Sequence, residues 1–434
     1  MTYKRNLSQC FKRLTAILCI AFCMAEMPCT HTRAADASVI SENTAANMVS
    51  TDTEMRAVWI KYEDFKPGKN FTNGTEFAAL VGEMFDNCVA MGMNAVIVHV
   101  RPFSDAMYKS EYYPWSYYAS GQQGKDPGFD PLQVMVYAAH QRGLEIHAWL
   151  NPYRVTLSWN GGTDVTKLSK KNPARKWLTN SKTSDDRNVL AYGGQLYYNP
   201  SVSAVQKLIV NGVKEIVQNY DVDGIHFDDY FYPAFTKDNY QTIFDAPEYE
   251  EYVARREAKG KKPVSIDRWR KDNVNNLVKT VYSAVKEINP NCVFGISPGG
   301  YIDYFDDKFR WYVDYRTWMG NDGYIDYICP QLYWSFSTLN TYPYHEVLAK
   351  WARVKRADSV KLYSGLPVYK LNASAIIDTK TQLKDSEWYN PFILSNMVTY
   401  SRSTGDCDGY FFFDYINLVD SKNKTAVEWL EKAW

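Results

Sequence analysis

The sequence predicts an α/β fold of the (β/α)8 TIM-barrel type with long βα loops, and three observations carry that prediction. Short apolar runs alternate with amphipathic stretches at helical spacing from residue 56 almost to the C-terminus. Eight such β-α repeats can be counted, the number that closes a barrel. The first strand is followed by Lys61-Tyr62-Glu63-Asp64-Phe65, not by the Gly-rich phosphate turn of a doubly wound open sheet.

Each element has its own warrant. Residues 56–60 are the first strand, and residues 76–91 a helix with apolar positions three and four apart. Residues 94–100 are almost continuously apolar, as in a parallel strand covered on both faces. A helix at 131–142 is stopped by Gly143, and residues 144–150 form the third strand. The third helix is expected at 201–220 with Ser201 as its N-cap. Residues 223–227 are the fourth strand, and its helix starts only after an insertion, at 266–288. Strands five to eight fall at 292–296, 325–332, 360–366 and 409–413, separated by helices near 309–319, 344–356 and 387–403. A last helix at 421–433 ends the chain.

The barrel occupies residues 54–434, behind two N-terminal segments. Lys4, Arg5, Lys12 and Arg13 precede an apolar stretch at 14–25 and small residues at Ala34 and Ala35, the pattern of a secretory signal peptide at 1–35. The polar residues 36–53 form a flexible linker. Export is therefore expected, with no membrane span, because no later segment approaches ~20 unbroken apolar residues. Cys23 and Cys29 leave a lipid anchor open. The 49 basic residues balance the 49 acidic ones, which argues against nucleic acid as a partner. Cys88, Cys292, Cys329 and Cys407 lack CxxC spacing and sit in apolar patterns, so they read as small buried thiols.

Chemistry in such a barrel sits at the C-terminal ends of the strands. Strand four ends in Asp228, Asp229 and Tyr230, and strand eight in Asp414. These three carboxylates are the catalytic candidates, since glycoside hydrolysis runs on carboxylate acids, bases and nucleophiles. Alternation puts Gly224, His226 and Asp228 on one side of the strand, so Asp228 ranks ahead of Asp229 if that side is inward. Candidate substrate-binding residues are Arg101, Asn151, Arg154, Tyr230, Gln331, Tyr333 and Trp334, all just past strand ends. Aromatics make up 15% of the chain and cluster in loops, which suits a carbohydrate cleft. Asp223, Asp326 and Asp408 lie at strand starts, where stability is served.

His99, His147 and His226 lie on strands two, three and four. Three adjacent imidazoles raise a metal-dependent deacetylase as an alternative. The His-x-His of amidohydrolase barrels is missing, so supporting histidines that tune Asp228 are preferred, with no metal and no cofactor. A non-catalytic glycan-binding barrel is the other alternative.

Four segments together resemble the glycosyl-hydrolase-like-10 family: Ile97 to Ser104, His147 to Arg154, Asp223 to Tyr230 and Ile328 to Trp334. The resemblance implies a (β/α)8 barrel in exported bacterial proteins with glycosidase activity. One branch acts on peptidoglycan glycan strands stripped of their peptides, so a polysaccharide or peptidoglycan glycan is the expected partner. The fourth strand is also similar to the nucleophile strand of α-amylase-type barrels, which places Asp228 at the nucleophile. It is similar to the chitinase pattern too, but His226 stands for an Asp and Tyr230 for the catalytic Glu.

Overall fold

The computed structural model describes residues 54–305, 311–337, 342–373, 375–378 and 383–434. The expected signal peptide and linker lie outside the described residues. Among the described residues no helix is long and apolar enough to cross a membrane.

The barrel strands are Met55–Ile60, Ala95–Arg101, Glu145–Leu150, Gly224–Phe227, Val293–Ile296, Tyr327–Ile328, a seventh in two pieces, and Gly409–Phe413. All pairs are parallel, and neighbours follow chain order, with the first strand between the second and the eighth. The two pieces of strand seven are Lys361–Leu362, paired with strand six, and Ser364–Pro367, paired with strand eight. They account for the ninth segment of the sheet and close the ring across Tyr363, whose N–H donates to the Ile328 carbonyl at 2.9 Å.

Period-two alternation sorts side chains into two layers. Val58, Val96, Ile146, Ile225 and Ile328 face outward into the main core under the helices. Trp59, Ile97, Trp149, Tyr327, Tyr363 and Phe411 fill the barrel interior. The interior is crowded enough that a Cβ on Gly295 would meet the Tyr327 ring at 2.1 Å. Glycine on strand five is the space that admits that ring.

The surrounding helices include Gly74–Ala90, Pro131–His140, Ser203–Asn219 and Ile266–Ile288. Asn73, Asp130 and Ser265 cap three of them by accepting an N–H in the first turn. The expected cap at Ser201 is not made. Ser201 bonds to Asn199 instead, and the helix starts at Ser203 behind Val202. Other expected helices are shorter. The one at 309–319 is Tyr315–Gly320, because Trp311 and Tyr312 take left-handed φ of 47° and 56°. Those at 387–403 and 421–433 each begin as a 3-10 turn before Ile393–Thr404 and Lys424–Glu431. A hairpin, Val189–Tyr192 with Gln195–Tyr198, decorates the loop after strand three, and helix Ala246–Glu257 lies in the insertion after strand four.

One device repeats around the floor. Asn94 accepts the Arg56 N–H at 2.8 Å, Asp223 that of Ile146 at 2.8 Å, Asp326 that of Phe294 at 2.6 Å, and Asp408 that of Leu362 at 2.8 Å. Each polar residue at the start of an even strand thus satisfies an N–H of the preceding odd strand. The three aspartates also meet His140 and Lys286 from helices and Arg356 from the loop after helix Tyr344–Ala352. Their structural role matches their place at the stability end.

Candidate active site

The mouth holds a cavity of about 160 Å³ lined by residues from strands one to six and eight. Asp228, His226, His99, Arg154, Tyr230, Gln331 and Tyr333 line it, as do Trp59, Lys61, Tyr62, Glu63, Trp149, Ser297 and Phe413. The first seven bring together most of the expected site.

Asp228 stands inward with His226 one layer beneath, as the strand's parity requires. It is buried, one oxygen accepts the Tyr230 N–H at 3.3 Å, and the other has no hydrogen-bond partner. Burial pushes its carboxyl up to about 8, helped by the Asp229 charge and opposed by Arg154. Near neutral pH it therefore holds its proton. Asp229 is half-buried and turns toward Gly299. Burial raises it to about 6, while nearby backbone N–H groups and Arg154 oppose the rise. Neighbouring carboxyls with separated ionisations are what paired acid and base roles require.

Arg154 is clamped between the rings of Phe103 and Tyr230, at 5.1 and 4.9 Å, and its Nε donates to the Pro102 carbonyl at 3.2 Å. The loop that follows Asp229 is anchored by a fully buried ion pair between Arg270 and Asp245 at 2.6 Å, with Tyr232 donating to Asp245 at 2.8 Å. That pair ties the strand-four insertion to the helix after it.

The histidines form an ordered chain. The Trp59 indole N–H donates to His226 Nε2 at 3.2 Å, so His226 carries its proton on Nδ1 and donates to the Tyr327 hydroxyl at 2.8 Å. That hydroxyl then donates to His147 Nδ1 at 3.0 Å. His99 stacks on Trp149 with ring centres 3.7 Å apart, and its Nε2 meets Asn151 Oδ1 at 3.2 Å. Burial holds His99 and His226 well below the usual imidazole range, and both are neutral. Among the described residues no three His, Cys, Asp or Glu side chains gather as a metal-binding group.

Six expected site residues do not line the cavity. Arg101 is the clearest correction. A bulge between His99 and Arg101 flips its parity, so the guanidinium points outward and lies 4.6 Å over the Tyr113 ring. It packs so closely on helix Ser203–Asn219 that a Cβ at Gly212 would sit 2.5 Å from it. Asp414 is fully buried and pairs with Lys61 at 2.5 Å, so it reaches the cavity only through that lysine. Asn151 lies behind His99, His147 one layer lower, and Asp229 to the side. Trp334 lines the adjoining cleft instead.

Sequence reasoning missed Lys61, Tyr62 and Glu63. Burial works to lower the Lys61 ammonium, but the Asp414 bond and the charges of Asp414, Asp64 and Glu63 more than offset it. Glu63 is a second carboxylate on the cavity wall, 3.8 Å from Lys61. The signal was present: these residues directly follow a barrel strand, where function concentrates.

Two clefts flank the cavity. One, about 320 Å³, shares Gln331 and Tyr333 with it and adds Tyr301, Trp311, Trp334 and Tyr369. The other, about 630 Å³, is walled by Phe103, Tyr117, Tyr118 and Trp159. It adjoins the cavity where the Tyr62 ring packs on Tyr118 at 4.6 Å and on Phe103 at 5.3 Å.

A parallel barrel with a buried protonated carboxyl under an aromatic trough defines a glycoside-hydrolase type of protein. The chain belongs to the Glycosyl hydrolase-like 10 family, whose model matches residues 54–382. It is 38% identical over 413 residues to the glycosyl hydrolase YngK of Bacillus subtilis, covering 90% of this chain and 73% of the relative. It is 30% identical to the glycosyl hydrolase DigH of Escherichia coli, covering 88% and 87%. The fold is shared with the PgaB (BpsB) glycoside hydrolase domain from Bordetella bronchiseptica, at a TM-score of 0.52 and 13% identity, covering 86% of this chain and 98% of that one. It is shared too with α-L-fucosidase isoenzyme 2 from Paenibacillus thiaminolyticus, at a TM-score of 0.52 and 14% identity, covering 88% and 49%.

Proposed function

We propose that this protein is an exported glycoside hydrolase that cuts within glycan strands, with peptidoglycan glycan as its first substrate class. The observation that carries the reading is Asp228: a buried carboxyl, protonated near neutrality, facing a sugar-sized cavity flanked by two aromatic clefts. A through-running trough suits internal cleavage of a chain better than removal of an end sugar. The relatives named as glycosyl hydrolases support the reaction class.

In this mechanism the Asp228 proton passes to the glycosidic oxygen as the bond from that oxygen to the anomeric carbon breaks. Water attacks the anomeric carbon and its proton passes to an ionised carboxylate. Asp229 beside Asp228, or Glu63 across the cavity, takes that role, and Asp229→Asn and Glu63→Gln separate the two. The neutral His226 and the Trp149 indole hold the floor under Asp228 without adding a charge.

Incubation with intact peptidoglycan, peptide-stripped glycan strands and common neutral polysaccharides tests the proposal. New reducing ends are expected from at least one, and none from Asp228→Asn. Wild-type protein that releases reducing ends from no glycan would sink it. The anomer released first, read by proton NMR, then tells inversion from retention.

A further inference from the structure

We propose that the cleft beside the catalytic cavity is a subsite for a sugar bearing a carboxylate, anchored by the ammonium of Lys370. The inference rests on the glycosidase reading and specifies the substrate class of that same trough.

Among the described residues on the wall of the 320 Å³ cleft, Lys370 carries the only charge, amid Tyr301, Trp311, Tyr333, Trp334 and Tyr369. The cleft shares Tyr333 and Gln331 with the Asp228 cavity, so a sugar there adjoins the one being cleaved. Lys370 donates to the Tyr333 carbonyl, and its ammonium lies 5.5 Å from the centre of the Trp388 ring. Both contacts fix its position, and an ammonium has three donors, so others remain to be used. Burial pulls it below the usual lysine range, and the charge of Asp385 offsets this only in part. The Asp385 oxygens accept from Ser335 and from the Glu387 N–H. No described carboxylate forms an ion pair with Lys370, whereas Lys61 on the far side of the cavity has Asp414.

The contrast points to the ligand. Neutral sugars need aromatic faces and hydroxyl partners, and a desolvated cation beside them costs free energy without return. A carboxylate on the sugar supplies the missing counter-charge. A lone ammonium acts as a point charge, without the planar fork that a guanidinium offers to phosphate. Two kinds of glycan carry such a group: chains of uronic acids, and amino-sugar chains with an ether-linked lactyl group whose carboxyl is free.

Oligogalacturonates and peptide-free peptidoglycan strands, each beside its carboxyl-reduced form, test the subsite. Cleavage is read with wild-type protein, and binding by calorimetry with Asp228→Asn. One charge-assisted hydrogen bond predicts a preference for the acidic form of about tenfold or more. The acidic glycan that shows it identifies the source of the carboxylate. Lys370→Met should bring the ratio close to one, and Lys370→Arg should restore part of it. The ratio is informative even if loss of the Tyr333 tether lowers the absolute rates. A wild type without the preference, or a preference that survives in Lys370→Met, overturns the subsite. Wild-type protein that binds acidic glycan through Lys370 but never cleaves it would overturn the glycosidase reading and leave the subsite standing.

Discussion

At the floor of the barrel Asp223, Asp326 and Asp408 each accept a strand N–H and meet a basic side chain, while at the mouth Asp228 keeps one buried oxygen without a partner. The residue type is the same and the sheet is the same. What differs is whether the surroundings solvate the charge. Floor partners hold three carboxylates in place to stitch strands together. The mouth withholds such partners, and burial raises Asp228 to about 8. Stability is spent at one end of the barrel to keep a proton available, a trade seen where activity needs a destabilised group.

Substitution of Asp228 tests the mouth most severely. Asp228→Asn should lower cleavage by at least about 10²–10⁴-fold, the range of a lost general acid. Its melting temperature should hold or rise, since the amide has no proton to take up on folding. A fold lost in Asp228→Asn would mean the mouth is built like the floor. The floor counterpart behaves oppositely. Asp326→Ala strands the buried Phe294 N–H and removes the counter-charge of Lys286, and should cost about 1–3 kcal/mol in urea unfolding. Activity per folded molecule should stay unchanged.

Acidity sharpens the comparison further. In the folded chain Asp228 keeps its proton up to about pH 8, while an unfolded Asp loses it near 4. Between those values the folded state binds the extra proton, so stability falls as pH rises through the window. Asp229, raised to about 6, and Asp64, raised to about 7, add to the slope over the lower part of it. Asp228→Asn should flatten the pH dependence of the melting temperature most clearly between pH 6 and 8, and an unchanged slope would contradict the placement of its proton. The rate kcat/KM should fall above about pH 8 as Asp228 ionises, and below about 6 as Asp229 takes up a proton. Loss of the acid limb in Asp229→Asn, but not in Glu63→Gln, assigns the second carboxylate.

Strand parity made the inward pose of Asp228 over His226 legible, because alternation along an unbroken strand is geometric. The same rule fails at Arg101, since a bulge depends on how strands two and three slip past each other and leaves no residue signature. The floor aspartates were legible from position alone. Asp414 was not: as a carboxylate after strand eight it looks catalytic, and only the nearness of Lys61, 353 positions away in the chain, makes it a counter-ion. Lys61, Tyr62 and Glu63 stood in plain view, but their loop was read for the phosphate turn it lacks. The end of strand seven is legible to within a residue, but Lys370 lies one 3-10 turn beyond it, past the residues that directly follow the strand.

The smallest expected effect lies farthest from the chemistry. Trp159 is 60% exposed on the wall of the outer cleft, edge-on to Phe103 at 6.4 Å. An indole so open adds little to the core, so Trp159→Ala should leave the melting temperature within about a degree or two, as an exposed site does. If a glycan runs the length of the trough, the ring stacks on a sugar beyond the cleaved bond. Its loss should then raise KM about two- to tenfold, the worth of about 0.5–1.5 kcal/mol of aromatic contact. The loss should appear on long oligosaccharides and vanish on the shortest ones cleaved, because short chains do not reach the ring. Equal loss at every length would place Trp159 in the support of the mouth, by way of Phe103 and Arg154. No loss at any length would confine the working trough to the Asp228 cavity and the Lys370 cleft.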